Sequence, residues 1–203
     1  MTTHFMVGID PGTQGAMVSI LLNTQKKLAG IWLAKLPYSE KELNIKEFLE
    51  AFHFVCPHKV NPPLADLFNW QDHWIAIEQI STFGKTTTQN YVNMGMNVGK
   101  MLGCLYEYRT VTKSVRPLDW QKHVMPRKGT NQNKEKTWQS IENFFYSHPA
   151  IKNDGLADAA LIALSQLIEL TPEIKNEFHQ YRRIFHVAPE SVIRKIRKSR
   201  ARK

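Results

Sequence analysis

The sequence predicts an α/β fold that opens with a three-stranded antiparallel meander and closes on a long apolar helix. Three observations carry this. Residues 5–10, 16–22 and 28–36 are short apolar runs joined by brief polar or glycine-rich turns. Two further strand-like runs, 74–80 and 110–115, alternate with stretches of helical pattern. Finally DGLADAALIALSQLIEL, 154–170, is helical in pattern until Thr171-Pro172 stops it.

In chain order, FMVGID (5–10) is a first strand, AMVSILL (16–22) its hairpin partner and 28–36 the third strand. After Pro37, SEKELNIKEFLEAF has Ser39 as an N-cap, Glu42 three residues on, and apolar Leu43, Phe48, Leu49 and Phe52, so a helix is expected from Ser39. Residues 57–73 carry three prolines and are expected to run over the surface. WIAIEQI, 74–80, is a short buried strand. Asn90 to Tyr108 is helical, with Gly95, Gly99 and Gly103 repeating every four residues on one face. Each glycine costs a helix interior about 1 kcal/mol relative to alanine, so a close backbone neighbour is expected there, either the sheet or a second subunit. TVTKSV (110–115) is a strand, and Pro117 suits the first position of the helix in PLDWQKHVM. RKGTNQN (127–133) reads as an exposed basic loop, and KEKTWQSIENFFYSH resumes helix with apolar Trp138, Ile141, Phe144 and Phe145.

At 203 residues, 42% hydrophobic and 22% charged, the chain is long enough for one domain with a proper core. We expect that domain to span 1–170 and a basic extension to span 171–203. The net charge of +9 is concentrated there: residues 182–203 hold nine Lys and Arg against Glu190 alone. Such a segment suits a polyanion, with Arg194, Lys195, Arg197 and Lys198 as candidate DNA contacts; its alternative is a solvated, solubilising tail. Cys56 and Cys104 are isolated and lack zinc-site spacing. No run of 18 apolar residues is present, so no membrane span is expected, and the expected setting is the cytoplasm of a bacterial or phage-infected cell.

Four acids stand out by position. Asp10 ends the first strand, Glu78 lies in an apolar strand, and Asp154 and Asp158 begin the last helix. A carboxylate in an apolar strand is costly to bury unless paired, hydrogen-bonded or bound to a cation. Asp154 and Asp158, four residues apart, project from one helix face within about 40° of each other. Their mutual repulsion is most simply relieved by a divalent cation, and hard oxygen ligands without cysteine or histidine suit Mg²⁺, or Mn²⁺ in its place. Taken singly, each acid has a plainer reading: Asp10 as a turn-starting aspartate, Asp154 as a helix N-cap, Asp158 as a first-turn acid favoured by the helix dipole.

GIDPGTQGA, the strand IAIEQ followed by an aromatic at Phe83, and the late helix DGLADAALIAL resemble the RuvC-type Holliday junction resolvases of the ribonuclease H and integrase superfamily. The resemblance covers roughly residues 5–168. It implies a ribonuclease H-like fold, a mixed central sheet with helices on both faces. It also implies Asp10, Glu78, Asp154 and Asp158 as metal-binding, catalytic carboxylates holding two Mg²⁺ ions, with Gly12 and Gly15 forming a tight turn that DNA backbone can approach. Lys122 and Lys136 resemble lysines near the scissile phosphate, their alternative being ordinary surface lysines. Phe83 resembles the aromatic that stacks on bases at the junction centre, its alternative a core phenylalanine; Lys85, Arg127 and Lys128 are further candidate DNA contacts. The implied assembly is a homodimer on branched, four-way DNA, with the 95/99/103 face as its seam.

Departures are visible. Bacterial members usually separate the last two acids by three positions, whereas here position 155 is glycine and the spacing is four, as in mitochondrial and some viral relatives. The leading expectation is a Mg²⁺-dependent junction resolvase making paired symmetric nicks. A relaxed-specificity nuclease of phage type, cutting forks and flaps, and a catalytically silent junction-binding protein are the alternatives. A nuclease for RNA–DNA hybrids is the weakest reading, because no feature is recognised that reads a 2′-hydroxyl.

Overall fold

The computed structural model describes residues 4–23, 25, 27–56, 73–80, 87–107, 111–125, 133–145, 150–151, 153–177 and 185–188. Strands β1 (His4–Asp10), β2 (Ala16–Leu22) and β3 (Leu28–Lys35) pair antiparallel in sequence, as their turns demand. β6 (His73–Glu78) and β7 (Val111–Val115) add in parallel on the other side of β1, and β8 (Phe185–Val187) adds in parallel to β3. The six-stranded order is β7-β6-β1-β2-β3-β8, in which β2 alone runs against the rest.

Alternation along the strands divides the interior into two cores. Phe5, Val7 and Ile9 of β1, with Ile75 and Ile77 of β6, face helix α1 (Ile45–Val55) and helix α2 (Thr88–Glu107). Met6 of β1, Ala76 of β6 and Val115 of β7 face α3 (Pro117–Val124), α4 (Asn133–Phe145), α5 (Asp154–Leu170) and α6 (Ile174–Glu177). Helices therefore cover both faces of a mixed sheet, as expected. Between Gly155 and Ile168 every residue of α5 is buried except Asp158, the pattern of a helix enclosed on all sides.

The segment after Pro37 departs from expectation. The helix begins at Ile45, capped by Asn44, whose Oδ1 accepts from the Glu47 N–H while its Nδ2 donates to Glu47 Oε1. Ser39 instead lies in a small hairpin, β4 (Tyr38–Ser39) with β5 (Glu42–Leu43). Its two loop residues, Glu40 and Lys41, have φ of 53° and 70°, the positive values that a tight two-residue hairpin loop requires. Buried Asn97 of α2 pins the hairpin, accepting from the Leu43 N–H at 3.0 Å and donating to the Lys41 carbonyl at 2.9 Å. Both segments carry a cap residue followed by an acid at the third position; Asn97 favours the later one.

Gly95, Gly99 and Gly103 also resolve one alternative. Among the described residues a Cβ built on any of them meets nothing within 4 Å, so the sheet is not their close neighbour. The face they share is lined by exposed Val92, Met96, Leu102 and Tyr106. Among the described residues no helix is long and apolar enough to cross a membrane.

Candidate active site

Strand pairing sets the first two carboxylates side by side. β1 and β6 are parallel with Ile9 opposite Ile77, so Asp10 and Glu78 follow as the next residue on each strand. Adjacent strands lie about 4.8 Å apart. Both acids share the pleat direction of Met6 and Ala76, and therefore face α5.

Two glycines bring α5 down onto them. A Cβ on Gly8 would lie 2.1 Å from the Ala159 carbonyl oxygen and 2.5 Å from the Ala163 nitrogen, so the helix backbone rests directly on β1. A Cβ on Gly155 would lie 2.0 Å from the Gln14 carbonyl oxygen, so the start of α5 is pressed against the β1–β2 turn. Asp154 and Asp158 flank these contacts. The N-cap of α5 is Asn153, whose Oδ1 accepts from the Leu156 N–H at 2.9 Å, which removes the cap reading of Asp154 and leaves its carboxylate for other work.

Among the described residues each acid meets a hydrogen-bond donor. Asp10 Oδ1 accepts from the Gly12 N–H at 2.8 Å, so the turn reading of Asp10 also holds, through one of its oxygens. Trp120 Nε1 donates to Glu78 Oε1 at 2.9 Å and Trp138 Nε1 to Asp154 Oδ1 at 3.3 Å. The Thr137 hydroxyl donates to the Asp158 carboxylate. Tyr38, near enough for the Asp10 charge to raise its phenol further above its burial-raised value, donates to the Pro11 carbonyl at 2.8 Å and steadies the turn.

Electrostatically the four behave as one group. Burial raises the Asp10 carboxyl above its ordinary value, partly offset by the Gly12 hydrogen bond. Burial, opposed by Trp120 and helped by the charge of Asp10, lifts Glu78 to about 7. Burial first, then the charges of Asp10, Glu78 and Asp154, lift Asp158 to about 7 against the Thr137 hydrogen bond. The donor set is all carboxylate oxygen, which fits a hard divalent cation. As placed, however, no three acidic, histidine or cysteine side chains among the described residues stand close enough to hold one ion.

The glycine turn has a more local reason than DNA approach. A Cβ on Gly15 would sit 2.1 Å from the Asp10 carbonyl and 2.6 Å from that of Gly12, so the missing side chain lets the turn close on itself. Of the basic candidates, Lys122 is exposed in the last turn of α3, where its charge bears on Asp119 and His123. Lys136 is half-buried on α4, beside Thr137 and Trp138. Phe83, Lys85, Arg127, Lys128, Arg194, Lys195, Arg197 and Lys198, with the 57–72 excursion, lie outside the described residues. Sequence reasoning missed Trp120, Thr137, Trp138 and Tyr38. The one available signal was that a tryptophan within a core-facing helix still needs an acceptor for its N–H.

The fold thus defined is of the ribonuclease H-like α/β class. More particularly it is similar to the fold of RuvC. RuvC of Thermus thermophilus in complex with a Holliday junction substrate superposes with a TM-score of 0.51 at 19% identity, over 82% of this chain and 94% of that one. A second Thermus thermophilus RuvC structure gives 0.50 at 18% identity, over 83% and 96%. The yeast mitochondrial Holliday junction resolvase Ydc2 gives 0.45 at 17%, over 87% and 85%. No protein-family profile matches the sequence, and neither does any curated protein sequence.

Proposed function

We propose that the chain is a Mg²⁺-dependent, homodimeric endonuclease that resolves four-way DNA junctions by paired symmetric nicks. The observation that carries this is the convergence of Asp10, Glu78, Asp154 and Asp158, from two adjacent strands and one helix start, into a single electrostatic group within a RuvC fold. These four would hold two Mg²⁺ ions, or Mn²⁺ in their place. Bound there, such ions supply an activated water and stabilise the leaving oxygen of an in-line attack on a phosphodiester.

The chain's own residues do the rest. The β1–β6 pairing and the Gly8 crossing hold the strand and helix that carry the carboxylates in fixed relation. Lys122 and Lys136 are assigned to the phosphate beside the cut, and Phe83 to stacking on an unpaired base, worth roughly 1–3 kcal/mol. Lys85, Arg127 and Lys128 are assigned to the DNA backbone. The open glycine face of α2, rimmed by Val92, Met96, Leu102 and Tyr106, is the seam assigned to the dimer, whose two-fold axis matches the symmetry of the junction.

The topology supports a DNA role for the basic segment, including Arg194, Lys195, Arg197 and Lys198. β8 runs parallel to β1 and β6, so it ends at the edge of the sheet where Asp10 and Glu78 stand. His186 stacks on Trp32 with centroids 4.7 Å apart, and the Ala188 N–H donates to the Leu33 carbonyl at 3.0 Å. β8 therefore runs out at the same end of the sheet as these carboxylates, on the N-terminal side of the basic stretch in sequence. The setting assigned is the cytoplasm of a bacterial or phage-infected cell, where such DNA is found.

The test is a synthetic four-way junction, end-labelled on each strand in turn, with Mg²⁺, Ca²⁺ or EDTA, beside an Asp10→Asn variant. Symmetric nicks on opposite strands with Mg²⁺ and the unaltered protein only, with junction binding retained by Asp10→Asn in EDTA, are expected. Equal cutting of forks and flaps would make it a relaxed branched-DNA nuclease. Binding without nicks would overturn the catalytic reading.

A further inference from the structure

Helices α3 and α4 meet the acidic site with neutral hydrogen-bond donors. Trp120 of α3 donates to Glu78, and the consecutive residues Thr137 and Trp138 of α4 donate to Asp158 and Asp154. Asp154 and Asp158 sit one turn apart on α5, so two adjacent side chains of α4, one short and one long, serve one acid each. Trp120 is 1% exposed and Thr137 is buried, so packing fixes the direction of these donors.

The choice of donor has a chemical consequence. A lysine or arginine at these positions would neutralise its carboxylate and compete with a cation. An indole N–H or a hydroxyl orients the carboxylate without cancelling its charge, and indole has no acceptor with which to recruit a cation itself. Resting on the divalent-cation reading of the four acids, we infer that Trp120, Thr137 and Trp138 are positioning residues that orient Glu78, Asp158 and Asp154 for metal binding. Outer partners of this kind typically change metal affinity by about 10–100-fold when removed.

The test uses the full chain and Mn²⁺ as the probe. Trp138→Phe and the near-isosteric Thr137→Val remove one donor each and keep most of the packing. Trp120→Phe is a third variant, read only beside its melting curve because that side chain is fully enclosed. Isothermal titration with Mn²⁺ should show about 10-fold or greater weakening in each, with circular dichroism and junction binding in EDTA unchanged. In the cleavage assay the Mg²⁺ concentration for half-maximal rate should rise while the rate at saturating Mg²⁺ is largely restored. A merely structural role would instead lower the rate at every Mg²⁺ concentration. Folded Trp138→Phe and Thr137→Val proteins that bind Mn²⁺ as tightly as the unaltered chain would overturn the positioning role alone. An unaltered chain that binds no Mn²⁺ would overturn the metal reading and this inference with it.

Discussion

Asp158→Asn should make the metal-free protein more stable, and increasingly so as the pH rises. In the folded chain the Asp158 carboxyl is held at about 7, against an ordinary 3.8, by burial and by the charges of Asp10, Glu78 and Asp154. Its folded value lies above its unfolded one, so the folded state binds the proton more tightly. That contribution is fully present below the ordinary carboxylate range and is lost as the pH climbs through about 7. Relative to a permanently neutral side chain, the linkage limits are about 1.5 kcal/mol of destabilisation at pH 5 and about 4 kcal/mol at pH 8. Asparagine has nearly the same shape and keeps an oxygen to accept from Thr137, so it removes the charge with little else. The expected gain at pH 8 is about 2–4 kcal/mol, or roughly 4–16 °C in melting temperature for a chain of this size. Thermal melts in EDTA between pH 5 and pH 8 measure it, and added Mg²⁺ should narrow the gap by stabilising the unaltered protein alone. A variant that melts at or below the unaltered protein at pH 8, or a difference that does not grow with pH, would refute the reasoning.

Gly155→Ala places a methyl 2.0 Å from the Gln14 carbonyl, so α5 must shift; a loss of about 1–3 kcal/mol by denaturant melt and loss of cleavage are expected, and wild-type activity would show that the contact is not needed. Gly99→Leu meets open space among the described residues, so it should leave the melting of the monomer unchanged while light scattering shows the proposed dimer lost; a persisting dimer removes α2 from the seam. Ending the chain after Ala188 keeps β8 and removes seven Lys and Arg residues, so junction affinity should fall and its dependence on salt should flatten by up to about six in log–log slope; an unchanged slope rules the segment out as a DNA contact.

Much of this was legible because it rests on short-range pattern. The β1–β2–β3 meander follows from alternation and tight turns, and α5 from an apolar run that begins at Asp154 and ends before Pro172. The four acids could be picked out singly, each as a charge at the end of an apolar element. Their convergence depends on partners distant in sequence. Asp10 and Glu78 become neighbours only because β6 pairs in parallel with β1, and no local signal states that register. The 38–43 hairpin was missed because Ser39 with Glu42 and Asn44 with Glu47 carry the same helix-start spacing, and the choice falls to Asn97, more than fifty residues away. β8, three residues of FHV, is too short for any period to show. Trp138 reads only as an apolar helix residue and Trp120 draws no reading from the sequence, and only the fold reveals that their N–H groups point at carboxylates.

The four-residue spacing of Asp154 and Asp158 acquires a reason from these contacts. Two jobs compete for the start of α5: it must be capped, and it must lie against the β1–β2 turn closely enough to bring its acids beside Asp10. Asn153 does the first, so Asp154 at the first helical position is not the cap and instead accepts from Trp138. Gly155 does the second, because its missing side chain is the space into which the Gln14 carbonyl projects. An acid at 155 is therefore excluded by backbone contact, and one at 156 or 157 would replace residues sealed in the core. Position 158 is the next on the Asp154 face, about 6 Å further along the axis. There it lies immediately before Ala159, whose carbonyl rests against Gly8 of β1, the strand that ends at Asp10. The spacing is thus set by the same two glycine contacts that dock the helix, and restoring a three-residue spacing by exchanging Ala157 with Asp158 should bury a charge in the core and lower both stability and cleavage.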